Sequence, residues 1–192
     1  MAVATRKRGL PTTPRRHSAD ERRDLVVEAA SREFAALGLG GATGEGLSYR
    51  AGISHPYLLR LFGSKRELFL EVVERAFDQL LAAVRAAKLP EGDREGFGDL
   101  VVELKKSLGE HGPSLLLQTF AACGVDEVRL TVQRRLGELH ESLERLPPGR
   151  DGQAEALLSR LLLAGAVDAV RLEELASRER WARRLLEGSD SS

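Results

Sequence analysis

A chain of 192 residues that is 42% hydrophobic, 30% charged and only 5% aromatic can pack one or two helix-rich domains, which argues against disorder and an all-β fold. Its longest apolar run, Leu161 to Val167, falls well short of the roughly 18–20 residues that cross a bilayer, so no membrane span is expected. Net charge is zero, yet residues 1–66 hold 12 Lys/Arg against 6 Asp/Glu and the remainder 17 against 23, a basic front on an acidic body that points to a polyanion bound at one end.

Residues 1–17 carry Arg6-Lys7-Arg8 and Arg15-Arg16 around Pro11 and Pro14, with little to drive folding. They read as a basic arm, either solvated or contacting nucleic acid in a minor groove. No apolar leader follows Met1, and Cys123 has no possible disulfide partner in the chain, so a reducing cytoplasm is the expected location. Ser18 to Glu21 has the spacing of a capping box and predicts a helix from Ala19 to Leu37. Its predicted apolar stripe is Leu25, Ala29, Ala30, Phe34 and Leu37, with Gly38 as the stop.

A glycine-rich stretch from Gly38 to Gly46 precedes two short helices around 47–51 and 55–62, joined by Gly52-Ile53-Ser54. This is the form of a helix-turn-helix. Gly52 suits the left-handed turn and Ile53 can point back between the helices. Ser54 is expected to cap the second helix by accepting from the Tyr57 N–H, because Pro56 in the first turn has none. Leu58, Leu61 and Phe62 then face inward. His55, Tyr57 and Arg60 face outward, where imidazole, phenol and guanidinium suit base edges and phosphates.

Ser64 to Glu67 repeats the capping pattern, and Leu68, Val72, Ala76, Leu80 and Val84 predict a long helix over 65–87. Pro90 to Asp93 breaks it. Further helices are expected over 93–110, 113–122, 126–146, 152–174 and 178–187, with Pro147-Pro148-Gly149 the strongest breaker between them. The prediction is an all-α fold of about nine helices. It divides into an arm at 1–17, a head at 18–66, a body at 67–188 and a tail at 189–192.

The aromatic-to-glycine segment Phe34 to Gly38, LSYRAGIS at 47–54, HPYLLRLF at 55–62 and SKREL at 64–68 together resemble the TetR family of one-component transcriptional regulators. The resemblance covers about 50 residues. Gly44, Ser48 and Leu59 depart from it, standing where the family prefers a branched apolar residue, Ala and a phosphate-contacting Tyr. By resemblance, Thr43 and Lys65 contact phosphates, while Ser54, His55, Pro56, Tyr57 and Arg60 form the DNA-facing end. The resemblance further implies a homodimer on a palindromic double-stranded operator, and repression released by a small, mainly apolar effector.

For the body, the resemblance implies a ligand pocket and a dimer-forming bundle. Candidate pocket residues are Phe77, Leu80, Phe97, Leu104, Leu116, Gln118 and Phe120, each apolar one equally readable as packed core. Thr119, Cys123 and His111 are further polar candidates, with His111 more readily a surface loop residue. Candidate dimer residues are Leu157, Leu158, Leu161, Leu162, Gly165, Ala169, Trp181 and Leu185, with intramolecular core as the alternative for the leucines. The four histidines are dispersed, and no nucleophile motif, phosphate loop or metal-ligand spacing is legible, so neither catalysis nor a cofactor is expected. A helical adaptor that keeps this fold but binds protein is the competing class.

Overall fold

Ser18 opens the first helix through a complete capping box. Its hydroxyl accepts from the Glu21 N–H at 3.1 Å, and the Glu21 carboxylate accepts from the Ser18 N–H at 2.8 Å. In this computed structural model, residues 18–87, 95–146 and 153–190 are described. The arm at 1–17, the breakers at 90–93 and 147–149 and the side chain of Phe97 lie outside the described residues.

The elements are α1 (Ala19–Gly41), α2 (Gly44–Arg50), α3 (His55–Phe62), α4 (Lys65–Ala86), α5 (Glu95–Leu108) and α6 (Gly112–Ala121). A 3-10 turn (Ala122–Gly124), α7 (Asp126–Glu144), α8 (Gln153–Ala169), α9 (Glu173–Ala176) and α10 (Arg180–Asp190) complete them. The fold is all-α, with no strand among the described residues.

Three boundaries differ from the sequence expectation, each for a local reason. Gly38 does interrupt α1, at φ +66°, but the chain resumes a helical turn through Gly41 instead of entering a loop. The next helix then starts at Gly44, earlier than its glycines suggest, because the Thr43 hydroxyl caps it by accepting from the Gly46 N–H at 3.0 Å. The helix expected over 152–174 stops at Ala169; Arg171 sits at φ +48°, and the short α9 follows as a tenth helix.

The main apolar core runs from head into body, and a separate smaller cluster of Val167, Leu172 and Ala182 lies at the far end of the body. On α1 the main core takes Val26, Val27, Ala30, Phe34 and Ala35. Leu25 and Leu37, expected to be inward, are 54% and 50% exposed. The reason is tertiary: α1 packs on both α4 and α6, and the faces these helices cover centre on 26, 27, 30 and 34 instead. On α4 the expected stripe Leu68, Val72, Ala76, Leu80 and Val84 is buried throughout. Its first half packs the head, with Phe69 edge-on to Phe34 at 4.9 Å between ring centroids. Its second half packs the body, so a single helix serves both.

Candidate nucleic-acid interface and the cavity behind it

Helix α3 is placed by its apolar side. Leu58 and Phe62 are buried, and Leu61 and Ile53 pack partly against the same core. Gly52 makes the turn at φ +65°, as its position predicts. Ser54 departs from expectation: its side chain makes no capping bond, and its backbone carbonyl accepts from the Tyr57 N–H at 3.0 Å. With Pro56 in the first turn, fewer N–H groups need an acceptor, so the hydroxyl remains exposed.

A clamp fixes the far end of the helix. Arg23 on α1 donates from Nη1 to the Leu61 carbonyl at 2.7 Å and from Nε to Glu71 Oε1 on α4 at 2.8 Å, with a second bond from Nη2 to the same carboxylate. Its guanidinium lies 4.5 Å from the Phe62 ring centre. The bond with Glu71 holds the Arg23 pKa above its ordinary value. Sequence reading did not single out Arg23, because Leu61 and Glu71 are 38 and 48 residues away.

The outer surface is formed by Tyr57, Arg60, Pro56 and Leu59 on α3 together with Tyr49 on α2. The Arg60 guanidinium stacks over the Tyr57 ring at 4.7 Å, presenting a phenol and a cation as one unit. Tyr49, also absent from the sequence candidates, is 90% exposed. His55 is drawn back: its ring lies against Gly44, and Nδ1 is 4.0 Å from Glu45 Oε1. Thr43 is exposed at the start of α2. Lys65 donates from Nζ to the Ala42 carbonyl at 2.7 Å, bracing α4 against the end of α1. A buried Glu33 on α1 pairs with Arg50 on α2, completing the frame.

The charge of this surface is more modest than the front third of the sequence suggests. Residues 18–66 hold seven Lys/Arg against six Asp/Glu, whereas residues 1–17 hold five and none. Arg23, Arg32, Arg50 and Arg66 are each paired with a carboxylate.

In the body, a wholly apolar cavity of about 180 Å³ opens between four helices. Phe77 and Leu80 come from α4, Leu116 and Phe120 from α6, Leu136 and Leu139 from α7, and Leu158, Leu161 and Leu162 from α8. Four of the pocket candidates thus meet there. Leu104 does not, being packed at 0% exposure in the core. Gln118 does not either: it faces α1, where a Cβ on Gly38 would come within 2.4 Å of its Oε1. Arg135, buried on α7, pairs with Glu74, Asp78 and Glu138 and holds α7 on α4 below Phe77. Thr119 is buried with its hydroxyl on the Leu115 carbonyl, and Cys123 donates to the Thr119 carbonyl. His111 sits half-exposed just before α6, on a second, polar cleft of about 230 Å³ between α1, α4 and the α5–α6 turn.

The dimer candidates divide. Leu157 and Leu161 are buried inside the chain, so they belong to its own core. Gly165 lets α8 approach α6 closely, since a Cβ there would meet the Pro113 carbonyl at 2.5 Å. Leu158 is half-buried at the cavity. Leu162, Ala169, Trp181 and Leu185 are exposed, leaving an apolar face along α8 and α10. Among the described residues, no helix is long and apolar enough to cross a membrane.

Residues 26–72 match the family described as bacterial regulatory proteins, tetR family. The chain is 43% identical over 68 residues to the HTH-type transcriptional activator FasR of Mycolicibacterium smegmatis, a stretch covering 35% of this chain and 31% of that protein. The chain therefore spans about a third of this curated relative. Over most of its length the fold resembles a tetR-family transcriptional regulator from Streptomyces coelicolor, with a TM-score of 0.62 at 17% identity, covering 90% of this chain and 79% of the other. It likewise resembles a transcriptional regulator from Rhodococcus sp. Rha1, with a TM-score of 0.62 at 16% identity, covering 88% and 91%.

Proposed function

We propose that this chain, which belongs to the TetR family of DNA-binding bacterial regulatory proteins, acts as a homodimer on a palindromic operator and loses affinity for it when a small apolar effector enters the body. DNA binding and regulation are what membership carries. The dimer, the palindrome and the effector are the finer reading.

The observation that supports it most directly is the double contact of α6. Leu116 and Phe120 line the cavity, while Gln118, between them in sequence, packs on Gly38 of α1. A ligand that spreads the cavity displaces α6, and α1 follows, carrying the Arg23 clamp and the end of α3. A coupling of ~1–3 kcal/mol changes operator affinity by about 5- to 150-fold. The cavity has no polar lining to orient a charged effector, so the ligand class is a short hydrocarbon chain or ring. The exposed face of Leu162, Trp181 and Leu185 would bury itself against a second copy, and two recognition helices about 34–36 Å apart read one palindrome. Repression released by the effector is the mode assigned here; the relative FasR is named an activator, and a promoter fusion decides the sign.

The test is selection from a random duplex pool, then fluorescence anisotropy on the enriched sequence at several salt concentrations with and without 1-decanol as the apolar probe. A palindrome, a steep salt slope and weaker binding with the probe are expected. Trp181→Ala with Leu185→Asp should sediment as a monomer and bind far more weakly. No enrichment from folded, dimeric protein overturns the reading in favour of the adaptor. Binding indifferent to apolar probes overturns the effector alone.

A further inference from the structure

The sequence shows no metal-ligand spacing, but the α7–α8 hairpin brings together three groups that it separates. His140 and Glu144 stand one turn apart on α7, and Glu155 faces them from α8. One donor atom from each lies within 4.8 Å of the other two, and His140 Nε2 is already 3.5 Å from Glu155 Oε1. Ligand atoms sit about 2.0–2.2 Å from a zinc ion, and its tetrahedral geometry puts any two of them roughly 3.3–3.6 Å apart. Small side-chain movements therefore close this set around one ion.

The His140–Glu155 contact leaves both carboxylates with room for a cation. Two carboxylates and one imidazole converge, and among the described residues neither Glu144 nor Glu155 pairs with a lysine or arginine. The nearby Arg145 is engaged by Glu141. Leu136, His140 and Glu144 follow one another at four-residue spacing along α7, and Glu155, Leu158 and Leu162 follow at three- and four-residue spacing along α8. The two rows meet as a single seam, with leucines lining the cavity at one end and the three donors at the other.

We propose that His140, Glu144 and Glu155 form a binding site for a divalent first-row transition metal that ties α7 to α8 at the rim of the cavity. One nitrogen and two carboxylate oxygens suit Zn²⁺ or its neighbours better than Ca²⁺, which takes six to eight oxygens. Water would complete the coordination. Because the ligands come from two helices, the bound ion stabilises their packing and narrows the freedom of Leu136, Leu158 and Leu162 to move apart. The inference stands independently of DNA binding.

Zinc titration of the full chain by calorimetry, paired with thermal unfolding, tests it. Wild type should bind one equivalent at this site and gain in unfolding midpoint. His140→Ala and Glu155→Gln should each weaken that binding at least about tenfold and abolish the midpoint gain. His111→Ala, on a distant surface turn, should retain both. Glu155 is exposed and the glutamine isosteric, so this variant reads the site even if His140→Ala disturbs folding. No saturable zinc binding by wild type, or the same affinity in Glu155→Gln, overturns the proposal. Loss with His111→Ala instead places the ion elsewhere and also overturns it.

Discussion

The imidazole of His55 occupies the space that a side chain on residue 44 would need, for a Cβ built on Gly44 would come within 2.4 Å of His55 Nε2. Gly44, one of the departures from the family pattern, is thus explained by its neighbour. Gly44, an unfavourable residue at the start of a helix, is what allows His55 to rest against α2. Because Gly44 does not lie at positive φ, Ala suits its backbone. In a His55→Ala background, Gly44→Ala should stabilise the protein by up to about 1 kcal/mol. In wild type the gain should shrink or reverse, and base preference should change as the ring is pushed toward the groove. Urea midpoints for the four proteins of the cycle measure the coupling. Equal gains in both backgrounds would show that the ring moves away at no cost.

Arg23 holds the end of the recognition helix through one carbonyl, one carboxylate and one ring. Arg23→Ala should destabilise by about 1–2 kcal/mol, the charged hydrogen bonds being partly screened by solvent. Arg23→Lys should recover only part of this, since it loses the two-pronged geometry. Operator affinity should fall alongside stability in both. A variant with unchanged unfolding midpoint would remove the clamp from the account of α3.

The first 17 residues hold five cations and no acid, so an arm that contacts DNA is expected to carry much of the electrostatic part of its affinity. Each phosphate neutralised adds about 0.9 to the slope of log affinity against log salt. Deleting residues 2–17 should therefore flatten the slope by several units while leaving the preferred sequence largely intact. An unchanged slope would make the arm a solvated tail.

Burial pushes the Cys123 thiol above its ordinary pKa, and the opposing pull of Arg129 is the smaller effect. A raised pKa leaves the group protonated and unreactive at neutral pH. Iodoacetamide labelling of native protein should be slower than for the unfolded chain at pH 7.5 and should accelerate only in alkaline buffer. Fast labelling at neutral pH would show that burial does not suppress its thiolate.

Helix starts at Ser18 and Ser64 and the turn at Gly52 were legible because capping and left-handed turns are local chemistry, satisfied within four residues. The same holds for the α4 stripe, whose regular spacing leaves one face to bury. Pairing across the chain was not legible. Leu25 and Leu37 look like core until α4 and α6 choose the adjacent face of α1. Leu157 and Leu162 are the same residue type on one helix, yet one is buried at 0% exposure and the other is 38% exposed. Gln118 passes for a pocket residue until it is found against Gly38.

The sequence by itself determined an all-α chain with a helix-turn-helix head, because helical periodicity, caps and breakers act over a few residues. Only the tertiary structure decided which apolar side chains line a cavity, which head cations pair with carboxylates, and that His140, Glu144 and Glu155 converge. Those outcomes depend on which helix faces meet, and that choice is made by the packing of the whole core, not by the spacing along any one helix.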